Sequence, residues 1–334
     1  MIVVLSESEL IEVRKALDQF VSNNKIISEL IVVDKKLRNL EEKLIRWLEP
    51  IPPEDRHYFL HLFIYFQYFD RLKIIEWFEA SYIKYTNTVS QTNDTLFVPV
   101  CSFGGVMNGA ISLFDCMNEA DINLSKNKMA VQPRDFYDEN DLSSYRNIVL
   151  IDDIVGSGDT LIDFIERTLI TCPDFFSERK IYILPILCLN KGRENLLEYA
   201  KDTGLEVEFL DTEDANKVFS NPNIYPDIKL GAKAKKIVKR FEESVASKPI
   251  YALGYKRSEI LVAFYFNTPN NTLATFHEQN DDLPWHPVFP RKKNGDELVV
   301  KDSSVLYEIR KRKEMRRNLK YQISKKVEEE KRNR

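Results

Sequence analysis

Residues 147–165 read NIVLIDDIVGSGDTLIDFI. An apolar run meets two adjacent carboxylates, then a turn of two glycines, a serine and a threonine, then a helical pattern. A run of Val, Ile and Leu without alternation is the mark of a strand covered on both faces, as in parallel sheets. Ligands of such sheets bind beyond the carboxyl ends of the strands, and Asp152 and Asp153 stand at such an end. Gly156, Ser157, Gly158, Asp159 and Thr160 form the turn into the helix. Glycine lets the turn fold tightly and lets a ligand approach the amides. A helix N-terminus adds unpaired N–H donors and the positive end of a dipole, a natural seat for phosphate. Acids beside that seat can accept hydrogen bonds from sugar hydroxyls or help to hold a hydrated magnesium ion. A phosphorylated ribose fits this layout: phosphate on the turn, hydroxyls on the acids. Asp159 is a cost within it, unless its carboxylate meets solvent or a cation.

The same alternation of strand and helix extends on both sides. Leu96–Cys101 reads as a strand, followed by a Gly-Gly turn and a helix to about Met117. Asn147–Ile151 is the next strand, and its helix runs to about Ile170. Lys180–Leu189 (KIYILPILCL) is a third strand, with a helix over 192–202. Leu205–Leu210 is a fourth strand. A helix over about 230–247 precedes a further strand at 257–266 (RSEILVAFYF). This order predicts an α/β fold with a doubly wound parallel sheet. Before it, residues 7–48 show helical spacing, with Ser6 and Ser8 as candidate caps. A long aromatic helix is predicted over 54–85. Its aromatic residues suit a cap packed on the next domain or a docking face for a partner. Three regions result: N-terminal helices over 1–88, the α/β domain over 89–300, and a charged helical tail over 301–334.

DDIVGSGDT preceded by NIVLI resembles the ribose-phosphate signature of type I phosphoribosyltransferases. The resemblance implies that Asp152 and Asp153 face the ribose 2- and 3-hydroxyls of phosphoribosyl pyrophosphate, with a role in catalysis and an indirect hold on Mg2+. It implies that Gly156–Thr160 cradle the 5-phosphate. FVPVCSFGGVMNGAI (97–111) resembles the pyrophosphate loop of that family, with Ser102, Phe103, Gly104 and Gly105 turning amides to the diphosphate. It lacks the Lys or Arg that many such loops carry, and it also suits a plain turn into a buried helix. Residues 123–146 stand where the family places a mobile loop. Lys126, Lys128 and Arg134 there suit either the developing pyrophosphate or a solvated surface.

FYFNTPNNTLATF (264–276) and WHPVFPR (285–291) resemble a phosphoribosyltransferase-related family of bacterial anti-phage loci, some of whose members occur beside retron reverse transcriptases. The resemblance implies an effector acting on nucleotides or nucleobases, either transferring ribose phosphate or sensing it without turnover. It brings a reverse transcriptase and its RNA–DNA product into view as partners, beside a second copy of the chain. Asn267, Asn270, Asn271 and Thr272, with Trp285 and His286, are candidates for reading a base or acceptor. They suit a turn pinned to the core equally well.

Composition bounds these expectations. The chain has 334 residues, 43% hydrophobic and 30% charged, enough for a large core. Its net charge of −4 hides an asymmetry, because Val305–Arg334 carries 12 Lys and Arg against 5 Asp and Glu. Such a tail suits nucleic acid, an acidic partner or plain solvation. Cys101, Cys116, Cys172 and Cys188 lack metal or disulfide spacing and read as core residues of a reduced, cytoplasmic protein. The longest apolar stretch, Tyr58–Phe69, is too short to span a bilayer. His57, His61, His277 and His286 make no metal pattern, and no nucleophile elbow or Walker loop is present.

Overall fold

The computed structural model describes residues 5–89, 94–101, 109–120, 122, 129, 140–210, 213–246, 251–280 and 285–291. The chain begins with three helices, α1 (Glu7–Asn23), α2 (Ser28–Val33) and α3 (Leu40–Leu48). α4 (Arg56–Ile64), β1 (Gln67–Phe69) and α5 (Arg71–Thr88) follow. The α/β part runs β2 (Thr95–Pro99), α6 (Gly109–Glu119), β3 (Asn147–Val155), α7 (Asp159–Thr171), β4 (Lys180–Cys188), α8 (Asn190–Thr203), β5 (Val207–Phe209) and β6 (Glu213–Asp214). It closes with α9 (Ile228–Val245), β7 (Val262–Phe264) and α10 (Ala274–His277). The charged tail expected at 301–334 lies outside the described residues.

The predicted parallel sheet is present. β2, β3, β4 and β5 lie side by side in that order, all parallel, and β6 pairs with the far end of β4. Met129 makes a parallel bridge to Phe97 on β2. Both faces are covered. Val149 and Ile151 of β3 pack with Ile74, Phe78, Leu113 and Met117 from α5 and α6. Ile148 and Leu150 point the other way, onto Leu161, Phe164 and Ile165 of α7 and Leu196 of α8. Hence the unbroken apolar run: each residue of β3 has a hydrophobic neighbour whichever way it faces.

The helix expected over 54–85 is two helices with a strand between them. α4 ends at Ile64, and β1 pairs in parallel with β7, Tyr68 opposite Ala263. Tertiary bonds explain the break, since no Gly or Pro marks it. The buried side chain of Asn24 donates to the Phe66 carbonyl at 2.8 Å and accepts from the Tyr68 N–H at 2.7 Å. Asp70 then caps α5 by accepting from the Lys73 N–H at 3.0 Å. The strand expected over 257–266 shortens to 262–264, because Lys256, Arg257 and Glu259 have left-handed backbone. At the N-terminus Ser6 forms the capping box with Glu9.

The N-terminal helices share one hydrophobic core with the C-terminal segment. That core runs from Phe20, Trp47 and Phe63 to Val238, Phe276 and Phe289. Phe66 and Phe289 stack at 4.7 Å, and Trp47 lies 4.8 Å from Phe276. The Trp47 indole N–H donates to the Thr275 carbonyl at 2.8 Å. Lys36 donates to the Thr268 hydroxyl at 2.7 Å. The aromatic residues are therefore largely internal packing. All four cysteines are buried and unbridged. Among the described residues no helix is long and apolar enough to cross a membrane.

Trp47 is fully buried and joins the two ends of the chain. Trp47→Ala removes that packing and leaves the Thr275 carbonyl without its donor. We expect a loss of about 3–5 kcal/mol in denaturant unfolding, against near-neutral substitution at an exposed helix position.

Candidate functional site

β3 does not stop at the carboxylates but runs through them to Val155, with Asp152 opposite Pro185 and Val155 opposite Cys188. The chain then turns sharply into α7. Gly158 holds φ +82, a conformation open to glycine at little cost. The turn sits on the start of α8, where Gly192 is the contact. A Cβ at Gly192 would lie 2.5 Å from the Gly156 carbonyl oxygen, and one at Gly158 would lie 2.9 Å from the Gly192 oxygen. Asn195 of α8 donates to the Ser157 carbonyl at 2.9 Å. α7 has no side-chain cap, so its first N–H groups are left for a ligand or water.

These elements line a small cleft that is open to solvent. Its floor is Asp152 and the turn at Gly156, Ser157, Gly158 and Thr160. Its far wall comes from the C-terminal part, as Tyr255, Asn270 and Asn271. The acid, the helix mouth and two of the candidate acceptor-reading asparagines thus come together. Asn271 lies directly over the turn: a Cβ at Gly156 would meet its amide nitrogen at 2.1 Å. Asp159 stands at the rim, bonded to Lys256. Of the two ways to offset Asp159, solvent or a cation, both are present: its side chain is partly exposed, and a distant loop supplies Lys256.

The two aspartates meet different surroundings. Successive residues of a strand leave opposite faces. Asp152 is buried and lines the cleft, its Oδ1 accepting from the Asp153 N–H at 2.9 Å. Burial raises its pKa well above the usual carboxylate range, and the neighbouring Asp153 charge adds to that. Burial also raises Asp153, but the Arg291 guanidinium opposes it. Arg291 is itself held by a bond from Nη1 to the Thr268 carbonyl at 3.0 Å.

Other candidates lie elsewhere. The Thr272 hydroxyl donates to the Val262 carbonyl at 2.6 Å, within the core. Trp285 packs edge-on against Phe241 at 5.0 Å and belongs to the core under α9. The structure brings neither to the cleft. Asn267 accepts from the Thr268 N–H and serves a turn. His286 is exposed, while His277 is buried and donates toward the Thr272 carbonyl, its pKa lowered to about 3 chiefly by burial. Ser102, Phe103, Gly104 and Gly105, with Lys126, Lys128 and Arg134, lie outside the described residues.

Five contributors were missed from the sequence: Gly192, Asn195, Tyr255, Lys256 and Arg291. Of GYKR at 254–257 only Arg257 falls in the expected strand, and the glycine at its head is a turn signal. Arg291 closes a motif, WHPVFPR, whose tryptophan drew the attention.

A parallel sheet covered on both faces, with acids at a strand end facing a glycine turn and helix mouth, defines a protein of phosphoribosyltransferase type. The chain belongs to the PRTase-CE family, whose model matches residues 44–291. The match begins within α3 and ends on Arg291, so the wall of the cleft at 255–271 is part of the family's own domain. No curated protein matches the chain.

Because Asp152 is harder to ionise when folded, the folded state holds a proton that the unfolded chain has lost. Its contribution to stability therefore falls as pH rises through and beyond the ordinary carboxylate range. Asp152→Asn keeps the acceptor and removes the titration. We expect the variant to melt above the parent at about pH 8, with the difference shrinking towards about pH 4 in thermal scans.

Proposed function

We propose that the chain binds phosphoribosyl pyrophosphate, with magnesium, and transfers its ribose phosphate to a nitrogenous acceptor. One observation carries this: the Asp152 carboxylate and the uncapped mouth of α7 line the same cleft. A 5-phosphate at the turn meets N–H donors and the helix dipole. Asp152 at the strand end accepts from a ribose hydroxyl. Asp152 lines the cleft and Asp153 does not, lying instead under the influence of Arg291, so Asp152 is the principal sugar ligand. Departure of diphosphate leaves positive charge at the anomeric carbon, which the Asp152 carboxylate steadies once ionised.

The donor set suits magnesium in one way. Among the described residues no cluster of three or more ligands exists, so an all-protein cage is absent there. Magnesium keeps several waters and is commonly held by one or two carboxylates together with substrate phosphates, which Asp152 and Asp153 can supply. When bound it neutralises the leaving diphosphate.

A second reading is favoured by Asn271 over Gly156 and by the Lys256–Asp159 pair. Asn271 lies against the turn and the ion pair stands at its rim, groups that could, as in a sensor, register a bound ribose phosphate without turning it over. The effector role in phage defence, with a reverse transcriptase and its RNA–DNA product as partners, is supported by the resemblance of residues 264–276 and 285–291.

Calorimetric titration of phosphoribosyl pyrophosphate with Mg2+ tests the proposal. We expect saturable binding, weakened about tenfold to a hundredfold in Asp152→Asn, with pyrophosphate released when the right acceptor is supplied. Binding with no release across the common bases favours the sensor. No binding removes both.

A further inference from the structure

Lys256 has a placement that the fold goes to unusual lengths to secure. Of the seven residues from Leu253 to Glu259, five have positive φ: Leu253, Gly254, Lys256, Arg257 and Glu259. Only one of these is glycine. Side chains seldom tolerate that backbone, and such strain persists where the surroundings over-determine it. They do so here. The buried Glu242 of α9 accepts the Leu253 N–H at 2.5 Å and the Thr275 N–H at 2.8 Å. Glu259 donates its N–H to the Leu253 carbonyl at 2.9 Å, and its carboxylate holds Lys235 at 2.6 Å. The Tyr255 N–H reaches the Asn270 carbonyl at 2.7 Å, and Gly254 sits tight against the Asn271 backbone. The result sets Tyr255 in the cleft wall and the Lys256 ammonium on Asp159 at the rim.

The chemistry of the rim gives the placement a purpose. The turn from Gly156 to Thr160 holds an acid and no base. A phosphate dianion seated there would meet backbone amides and the hydroxyls of Ser157 and Thr160, with Asp159 nearby and no cation from the turn itself. Both members of the pair are close to half exposed, at 48% and 42%. Neither is committed to the core, and an exposed pair of this kind exchanges readily. A phosphate is the stronger competitor, with more charge and more acceptor oxygens than one carboxylate.

We propose that Lys256 is the cation of the phosphate seat, parked on Asp159 until an anionic ligand draws it across. The assignment rests on the ribose-phosphate reading of the same cleft. It makes Lys256 a ligand-contacting residue and Asp159 its competitor, so the two have opposite effects on affinity. A mere staple between loop and helix would give both the same effect, because either substitution breaks the pair.

The test is calorimetric titration of ribose 5-phosphate into the full chain and its variants, with thermal melting as the check on folding. Lys256→Met keeps the apolar stem and removes the charge, and we expect binding at least tenfold weaker. Lys256→Arg is expected to restore most of the loss. Asp159→Asn removes both the competitor and the repulsion, and is expected to bind several-fold tighter, and a smaller gain is expected when the same change is made in a Lys256→Met background. Parent-like affinity in Lys256→Met overturns the assignment while leaving the seat itself intact. So does an Asp159→Asn variant that binds no tighter than the parent. That second arm stands even if Lys256→Met fails to fold. A parent chain that does not bind ribose 5-phosphate at all overturns the reading of the seat, and the assignment with it.

Discussion

Everything at the cleft follows from how closely the end of β3 can approach the start of α8. The Gly156 carbonyl oxygen lies 2.5 Å from where a Cβ on Gly192 would stand, and the Gly192 oxygen 2.9 Å from where a Cβ on Gly158 would stand. Three glycines therefore form a seat without side chains between adjacent βα connections. The Leu189 N–H continues the ladder to the Val155 carbonyl at 2.9 Å, so the two strand ends stay level while the chain turns. With side chains at these places the turn would lift off α8. The mouth of α7 would then lose its fixed distance from Asp152.

The other wall is built by quite different means. It has little regular structure, and its shape is imposed from below. α9 stands beneath it, and Glu242 there is fully buried with a carboxylate shared between Leu253 and Thr275. Burial lifts its pKa to about 8 against the two N–H bonds that favour its charge. A buried carboxylate is an expensive clamp, and an apolar residue would fill the space at less cost. What an apolar residue cannot do is satisfy two N–H groups of irregular backbone at once. The same α9 packs by Val238 and Val245 into the core that holds Trp47 and Phe276. The N-terminal helices thus brace the element that braces the cleft wall.

How much of this could be read in advance depends on the range of the forces involved. The sheet was plain because burial on both faces writes itself into consecutive residues, as in NIVLI and KIYILPILC. The phosphate seat was plain for a related reason: a turn, its glycines and a helix start lie within a few residues of one another. What escaped was non-local. β1 interrupts an unbroken helical pattern because Asn24, over forty residues earlier, captures the backbone at Phe66 and Tyr68. Lys256 reaches Asp159 across 97 positions of sequence. Gly192 looked like an ordinary helical glycine, and only its neighbour across the sheet end shows why no side chain fits. Trp285 misled in the opposite sense. Its rim-like context, between Pro284 and His286, concealed a ring packed on Phe241.

The paired aspartates show why adjacency in sequence is a poor guide to shared duty. Two carboxylates on consecutive strand residues start from opposite faces, yet at this strand end their side chains stay within hydrogen-bonding reach of each other while meeting different surroundings. Asp152 faces the ligand space and is poorly solvated, so it is reluctant to ionise alone. Asp153 faces Arg291, whose charge offsets part of the same penalty. A cation brought in by a ligand would stabilise the charge on Asp152 as Arg291 does for Asp153. The strand end therefore has a cation acting on Asp153, while Asp152 opens onto the helix mouth with no such cation among the described groups that shift it. An anionic sugar arriving with its own divalent ion would leave both acids balanced, which is a stronger reason for a ligand of that charge pattern than the presence of two acids taken by itself.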